Sequence, residues 1–341
     1  MFLRIQQLLL SICLISFSYP VIALHDASDP LVFDDTPLKE SIELPNWFKL
    51  SFLDLKETLR ETAKAGKRGL IIYFHRHDCA YCNAQIEVNW GSHDILNYTL
   101  NHFDVIVIDV NGQRSVTDFD GKVLTESDYA TKMNTTFTPS MLFYNTRGKL
   151  ALRLPGFRPP YQFRAALEYV ADSHYQREKF ADYLARAEAA MEFGQDKMNE
   201  NDAFTPAPFN FDRSRVPGKR PLVIFFEHPR CHACDVLHAD PISDINVAAH
   251  LSKFDAAQLN IFSDSPVITP DGQKTTAKAW ARQLDLSFAP TLIFFDEQGK
   301  EIIRIDSVVR LYRLNNVLNY VLSKGYLKYP TLQAWQQNTR H

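Results

Sequence analysis

Cysteine is scarce in this chain, five among 341 residues. That leaves no room for the dense disulfide framework of small secreted domains. Charge of one sign is also missing. Thirty-seven Lys and Arg face forty Asp and Glu, a net charge of −3. With no basic run and no base-stacking motif, nothing in the sequence draws a nucleic acid. The N-terminal apolar run, residues 8–17, is too short to cross a bilayer comfortably. It fits a secretory signal instead. Arg4 supplies the positive start, and Val21-Ile22-Ala23 offers a cleavage site after Ala23. An uncleaved anchor is the rival reading. A lipoprotein fits less well, because Ile12 precedes Cys13 where a small residue is wanted. Removal of residues 1–23 takes Cys13 with it. The four cysteines that remain form two pairs, so thiol chemistry is confined to two places.

Those two places are the organising feature of the chain. The strand-like run Leu70-Ile71-Ile72-Tyr73-Phe74 leads into Cys79-Ala80-Tyr81-Cys82. Leu222-Val223-Ile224-Phe225-Phe226 leads in the same way into Cys231-His232-Ala233-Cys234. Each copy has a proline downstream, Thr138-Pro139 and Ala289-Pro290, each ahead of another apolar run. The first cysteines lie 152 positions apart (79 to 231) and the prolines 151 (139 to 290). A register kept to one residue marks a duplication. Matching pairs recur along both copies: Asp120-Gly121 with Asp271-Gly272, Gly148-Lys149 with Gly299-Lys300, and Arg153 with Arg304.

The expected division follows. Residues 24–45 are a polar, proline-bearing leader, and residues 46–194 the first domain. Residues 195–221 are a linker, residues 222–330 the second domain, and residues 331–341 a tail. Within the first domain, Ser51 is expected to cap a helix whose inner face carries Phe52, Leu55 and Leu59. The apolar run at 70–74 reads as a strand buried on both faces, and 103–110 as another strand, parallel to it. Thr125 opens a short helix with Asp128 as its capping-box partner. A strand after Pro139 and its return near 150–154 add a hairpin, so the sheet is mixed. A helix in two pieces is expected from about Phe163 to Phe193. The second copy lacks an evident opening helix. Phe204, Phe209 and Phe211 suggest that the linker packs on something.

A disulfide across two intervening residues needs a sharp turn, which the first turn of a helix provides. The first cysteine then meets free backbone N–H groups and the positive end of the helix dipole, which favour a thiolate. The second lies three residues on and can resolve a mixed disulfide. The dipole is worth roughly 0.3–2 kcal/mol, about one pKa unit. A more acidic thiol needs nearby cations. The first site offers His75, Arg76 and His77 against Asp78; the second offers His228, Arg230 and His232 against Glu227 and Asp235. His232 lies between its cysteines, which makes Cys231 the expected stronger acid. An X–Pro bond is where a cis peptide is tolerated. A cis proline there would leave the backbone of Thr138 or Ala289 free to pair with an extended substrate.

With strand, C-x-x-C at a helix start and a later Thr/Ala-Pro strand in place, the chain resembles a tandem of thioredoxin folds. The implied fold class is α/β: two tandem thioredoxin-like domains, each a mixed central sheet flanked by helices. The first domain further resembles periplasmic SoxW-type thioredoxins in Asp118-Phe119-Asp120-Gly121-Lys122, Phe137-Thr138-Pro139-Ser140 and Leu154-Pro155-Gly156-Phe157, followed by Tyr161-Gln162-Phe163. The resemblance implies a periplasmic thiol–disulfide oxidoreductase acting on protein thiols and disulfides. It makes Cys79 and Cys231 the attacking thiols and Cys82 and Cys234 the resolving ones. It also implies no cofactor beyond the disulfides, and electrons from a membrane carrier of the CcdA or DsbD type. Two departures stand out. Tyr73 and Phe225 occupy the position of thioredoxin's buried acid, and Ala-Tyr and His-Ala replace its Gly-Pro. An oxidase or isomerase is the runner-up. Four thiolates with His228, His232 and His238 nearby form the rival copper- or zinc-binding reading.

Overall fold

The structure is a computed structural model that describes residues 29–135, 137–188 and 197–339. The signal-like segment and part of the helix expected to reach Phe193 lie outside the described residues. The first domain runs α1 (Leu55–Lys64), β1 (Gly69–His75), α2 (Ala80–Ala84), α3 (His93–His102), β2 (Phe103–Asp109), β3 (Ser115–Thr117), β4 (Val123–Thr125), α4 (Glu126–Lys132), β5 (Ser140–Asn145), β6 (Leu150–Pro155), α5 (Pro160–Ala171) and α6 (Phe180–Glu188). Its sheet has the order β2-β1-β5-β6, with β1 parallel to β2 and antiparallel to β5. All seven residues of β1 are buried. Its alternation splits them between two cores: Ile71 and Tyr73 face one, Leu70, Ile72 and Phe74 the other. Each such apolar side chain taken fully out of water is worth about 1.5–3 kcal/mol.

After a short strand β7 (Phe209–Asn210), the second domain repeats the plan. It comprises β8 (Leu222–Glu227), α7 (His232–Ala239), α8 (Ile245–Leu251), β9 (Asp255–Asn260), β10 (Pro266–Ile268), β11 (Lys274–Thr276), α9 (Ala277–Gln283), β12 (Thr291–Phe295), β13 (Glu301–Ile305), α10 (Leu311–Leu322) and α11 (Leu332–Thr339). Its sheet order is β9-β8-β12-β13, with the same parallel and antiparallel pairings as the first.

Several local expectations change. Helix α1 begins at Leu55, capped by Asp54, whose carboxylate accepts the Glu57 N–H at 2.9 Å. Ser51 lies outside it because Leu53 turns the chain with a left-handed backbone (φ 60°). Phe52 is consequently fully exposed rather than on the inner face. Helix α5 starts three residues early, at Pro160, where a proline's missing N–H costs nothing. It stops before the left-handed Ser173, which separates it from α6. Among the described residues the second copy has no helix in the place of α1. Strand β7 pairs instead with β10, Phe211 packs in the second domain's core, and the Phe204 ring lies 4.9 Å from that of Phe225. The C-terminal residues form α11, with Leu332 buried.

The two domains meet through equivalent parts. The Val308 N–H donates to the Phe157 carbonyl at 3.1 Å, and these two positions are themselves 151 apart. Gly156 (φ 69°) lies against Ser307, and a Cβ there would come within 2.1 Å of the serine Oγ. Only glycine allows that approach. Matching segments therefore face each other about an approximate two-fold axis, as in an isologous interface. The leader does not stand apart. Leu31 and Asp35 are buried, and Phe33 packs edge-on against Tyr81 and Phe157. Residues 29–42 form a strap that touches both cysteine sites.

Candidate active sites

In each domain the central strand delivers the chain to a helix start, and the first cysteine is the N-cap. Cys79 is bonded to Cys82 and Cys231 to Cys234, with Cα separations of 5.2 and 5.1 Å. The Cys79 sulfur accepts the Cys82 N–H at 3.0 Å, and the Cys231 sulfur accepts the Cys234 N–H at 3.1 Å. These are first-turn donors that would also hold a thiolate. In both pairs the second cysteine is fully buried and the first keeps a sliver of surface, 4% at Cys79 and 6% at Cys231. The Thr138-Pro139 and Ala289-Pro290 peptides are both cis. Cys79 and Thr138 line one cleft, and the Cys231 sulfur lies 3.4 Å from the Ala289 carbonyl oxygen. A third cis peptide, Ala207-Pro208, lies in the linker and was not foreseen.

A thioredoxin-like domain model matches residues 55–171 and again residues 210–322. The chain belongs to this family, with two copies of its domain. No curated protein matches the chain. Solved structures similar to it include a thioredoxin-fold protein from Helicobacter pylori, 22% identical with a TM-score of 0.30, the match covering 36% of this chain and 82% of that one. A thioredoxin from Thermus thermophilus is 22% identical with a TM-score of 0.27, covering 33% and 82%. A disulphide isomerase from Xylella fastidiosa is 13% identical with a TM-score of 0.25, covering 43% and 98%. Two thioredoxin-like domains, each with its own disulfide-forming C-x-x-C pair, make the chain a thiol–disulfide oxidoreductase.

The surroundings of the two thioredoxin-like sites differ. Beneath the first, the Tyr73 hydroxyl donates to the Cys82 carbonyl at 3.1 Å, and its ring stacks on buried His75. Burial pushes the His75 pKa down, with Asp109 and Glu126 opposing. Beneath the second, Glu227 is fully buried, accepts Gln258 Nε2 at 2.7 Å and sits 3.1 Å from His238 Nε2. Both His75 and Glu227 stand four residues before a first cysteine. His75 is buried, and His238 is partly buried with its side chain 8% exposed. His75 closes β1 on the inward face set by Tyr73, one strand period earlier. His232 is half exposed, and its Nε2 lies 2.8 Å from Asp29 of the strap, which offsets the charge expected to favour Cys231. Among the described residues no cluster of three or more His, Cys, Asp and Glu side chains is arranged to hold a metal.

Access differs most. Beside Cys79 there is a cleft of about 50 Å³. Tyr81, between the cysteines, is buried. Its hydroxyl donates to Asp35 at 2.8 Å and accepts the Arg310 N–H at 2.8 Å. The Arg313 guanidinium lies 3.4 Å from the Tyr81 ring centre and donates to the Thr138 carbonyl at 2.8 Å. Asp35 accepts the N–H groups of Tyr312 and Arg313, both at 2.8 Å, at the start of α10. Burial pushes the Tyr81 pKa well up and that of Arg313 down. Beside Cys231, by contrast, a groove of about 650 Å³ runs between the domains, lined by Pro159, Tyr161, Arg230, His232, Phe262 and Ala289 among others. Alanine 233 stands in place of Tyr81.

Sequence reasoning did not find Arg313, Asp35 or the function of Tyr81. The only trace was that Arg313 replaces Gln162 in the repeat register.

Proposed function

We propose that this oxidoreductase works as a reductase of protein disulfides in the periplasm, exported by a cleaved signal peptide. Cys79 and Cys231 attack; Cys82 and Cys234 resolve. The carrying observation is the shared geometry: a first cysteine capping a helix, accepting a first-turn N–H and keeping surface, beside a cis proline. A thiolate at Cys231 attacks one sulfur of a substrate disulfide and releases the other as a thiolate. Cys234 then attacks Cys231, and the second substrate thiol leaves. Two electrons pass to the substrate, two protons complete its thiols, and the protein ends as the disulfide. The backbone of Ala289, and of Thr138 once uncovered, would hold the substrate chain.

A CcdA- or DsbD-type membrane carrier would restore the dithiols. The reductive direction and this donor rest on the SoxW-like motifs of the first domain. Among the described residues no helix is long and apolar enough to cross a membrane.

Equilibration with graded glutathione and dithiothreitol buffers, followed by acid quench, alkylation and peptide mass analysis, gives the potential of each pair. A reductase predicts values near or below about −230 mV for at least one pair. Both pairs near about −120 mV would make the protein an oxidase instead.

A further inference from the structure

The two sites share a covalent plan, but the second domain covers the first site. Arg313 is 8% exposed and comes from α10 of the second domain. It occupies the Thr138 carbonyl, the acceptor an extended substrate would need beside Cys79. It also covers Tyr81 and packs 4.9 Å from the Phe137 ring centre. The arrangement is built rather than incidental, since Asp35 fixes the start of α10 and the Tyr81 hydroxyl together. At the second site the equivalent contact is displaced along the chain. The Arg158 guanidinium lies 4.7 Å from the Phe288 ring centre and reaches the Ser287 carbonyl at 3.4 Å, two residues before Ala289, while Ala289 itself lines the groove with its carbonyl oxygen 3.4 Å from the Cys231 sulfur.

We infer that Arg313 is a specificity-determining residue that closes the first site to polypeptide disulfides, so that protein substrates react at Cys231 while Cys79 is left to small disulfides. This rests on the oxidoreductase reading of both sites. At either cysteine the exchange is the same. The thiolate forms a bond to one substrate sulfur and breaks the substrate S–S bond. The partner cysteine then closes the protein disulfide, and two electrons go to the substrate.

The test uses the full chain with one pair removed at a time: Cys231→Ser with Cys234→Ser, or Cys79→Ser with Cys82→Ser. Each is pre-reduced and mixed in a single turnover with cystine or with insulin, and oxidation is followed by quench and alkylation. The insulin-to-cystine rate ratio is expected to be at least about tenfold lower at the first site, on the scale of one charge-assisted hydrogen bond. Arg313→Ala should raise the first-site ratio by about tenfold and leave the second-site ratio unchanged. Arg313→Lys, which keeps a donor, should retain part of the block. Equal ratios at the two sites, or no response to Arg313→Ala, would overturn the inference. No reaction of either site with cystine would overturn the oxidoreductase reading itself. If Arg313→Ala does not fold, the reduced parent chain decides. Cys79 should react with iodoacetamide at least about tenfold faster than with a polymer-linked maleimide, after normalising to the same ratio at Cys231. No difference would contradict closure.

Discussion

The two cysteine sites are close copies in backbone and unlike in access. Both put a sulfur on the first turn of a helix and both face a cis proline. One is covered by a guanidinium, a tyrosine and a strap carboxylate; the other opens on a groove between the domains. The lesson is that duplication preserves what local sequence specifies, while the contact between copies decides what each can reach. Near the two-fold axis the contacts are equivalent, as at Phe157 and Val308. Further out, Arg313 in place of Gln162 and Tyr81 in place of Ala233 make them unequal.

The comparison breaks most completely at Asp35. Asp35→Ala removes the acceptor for Tyr81 and for two N–H groups at the start of α10, of which the contacts to Tyr81 and Arg313 are buried and that to Tyr312 partly so. About 3 kcal/mol or more of unfolding free energy should be lost in urea titration. Alkylation of Cys79 in the reduced protein should quicken while that of Cys231 stays the same. Unchanged stability would mean that the strap contributes nothing to closure. A smaller effect is expected at the axis. Gly156→Ala forces a side chain into a left-handed backbone and onto Ser307, for about 1–3 kcal/mol. Because both domains share this contact, both sites should change access together, which separates interface loosening from the one-sided effect of Arg313→Ala.

Much of this is legible in the sequence. Strand, C-x-x-C and cis proline are specified within short stretches, by apolar runs, helix-start chemistry and X–Pro bonds. That the sheet is mixed followed from the same elements; its order, β2-β1-β5-β6, is set by pairing across the chain. What was hidden depends on distance along the chain. Arg313 meets Thr138 across 175 positions and Asp35 meets α10 across 277, and no local pattern encodes such meetings. Phe52 misled because its spacing fits a helical face, yet the left-handed Leu53 places it before the helix. The strap read as polar because its apolar run, Leu31-Val32-Phe33, is short and is flanked by Asp29, Asp34 and Asp35.

The smallest effect distinguishes the floors of the two sites. Burial holds the His75 pKa below its ordinary 6.5, so the unfolded chain takes up that proton first as pH falls. The contribution of neutral His75 is therefore complete above about pH 6.5 and is lost as pH drops toward its folded pKa, with a slope of at most about 1.4 kcal/mol per pH unit. Unfolding titrations between pH 7.5 and 5 should show this slope, roughly, in the parent chain and a shallower one in His75→Asn. Equal slopes would mean that His75 does not titrate differently on folding.

The most direct measurement is to trap the mixed disulfide. Cys82→Ser and Cys234→Ser each remove a resolving thiol, so a substrate captured by the first cysteine stays bound. Mixed with insulin and resolved by mass, the Cys234→Ser chain should carry the adduct on Cys231 as the dominant species, and the Cys82→Ser chain should carry little on Cys79. Comparable adducts on both cysteines, or more on Cys79, would contradict the account of one open and one covered site.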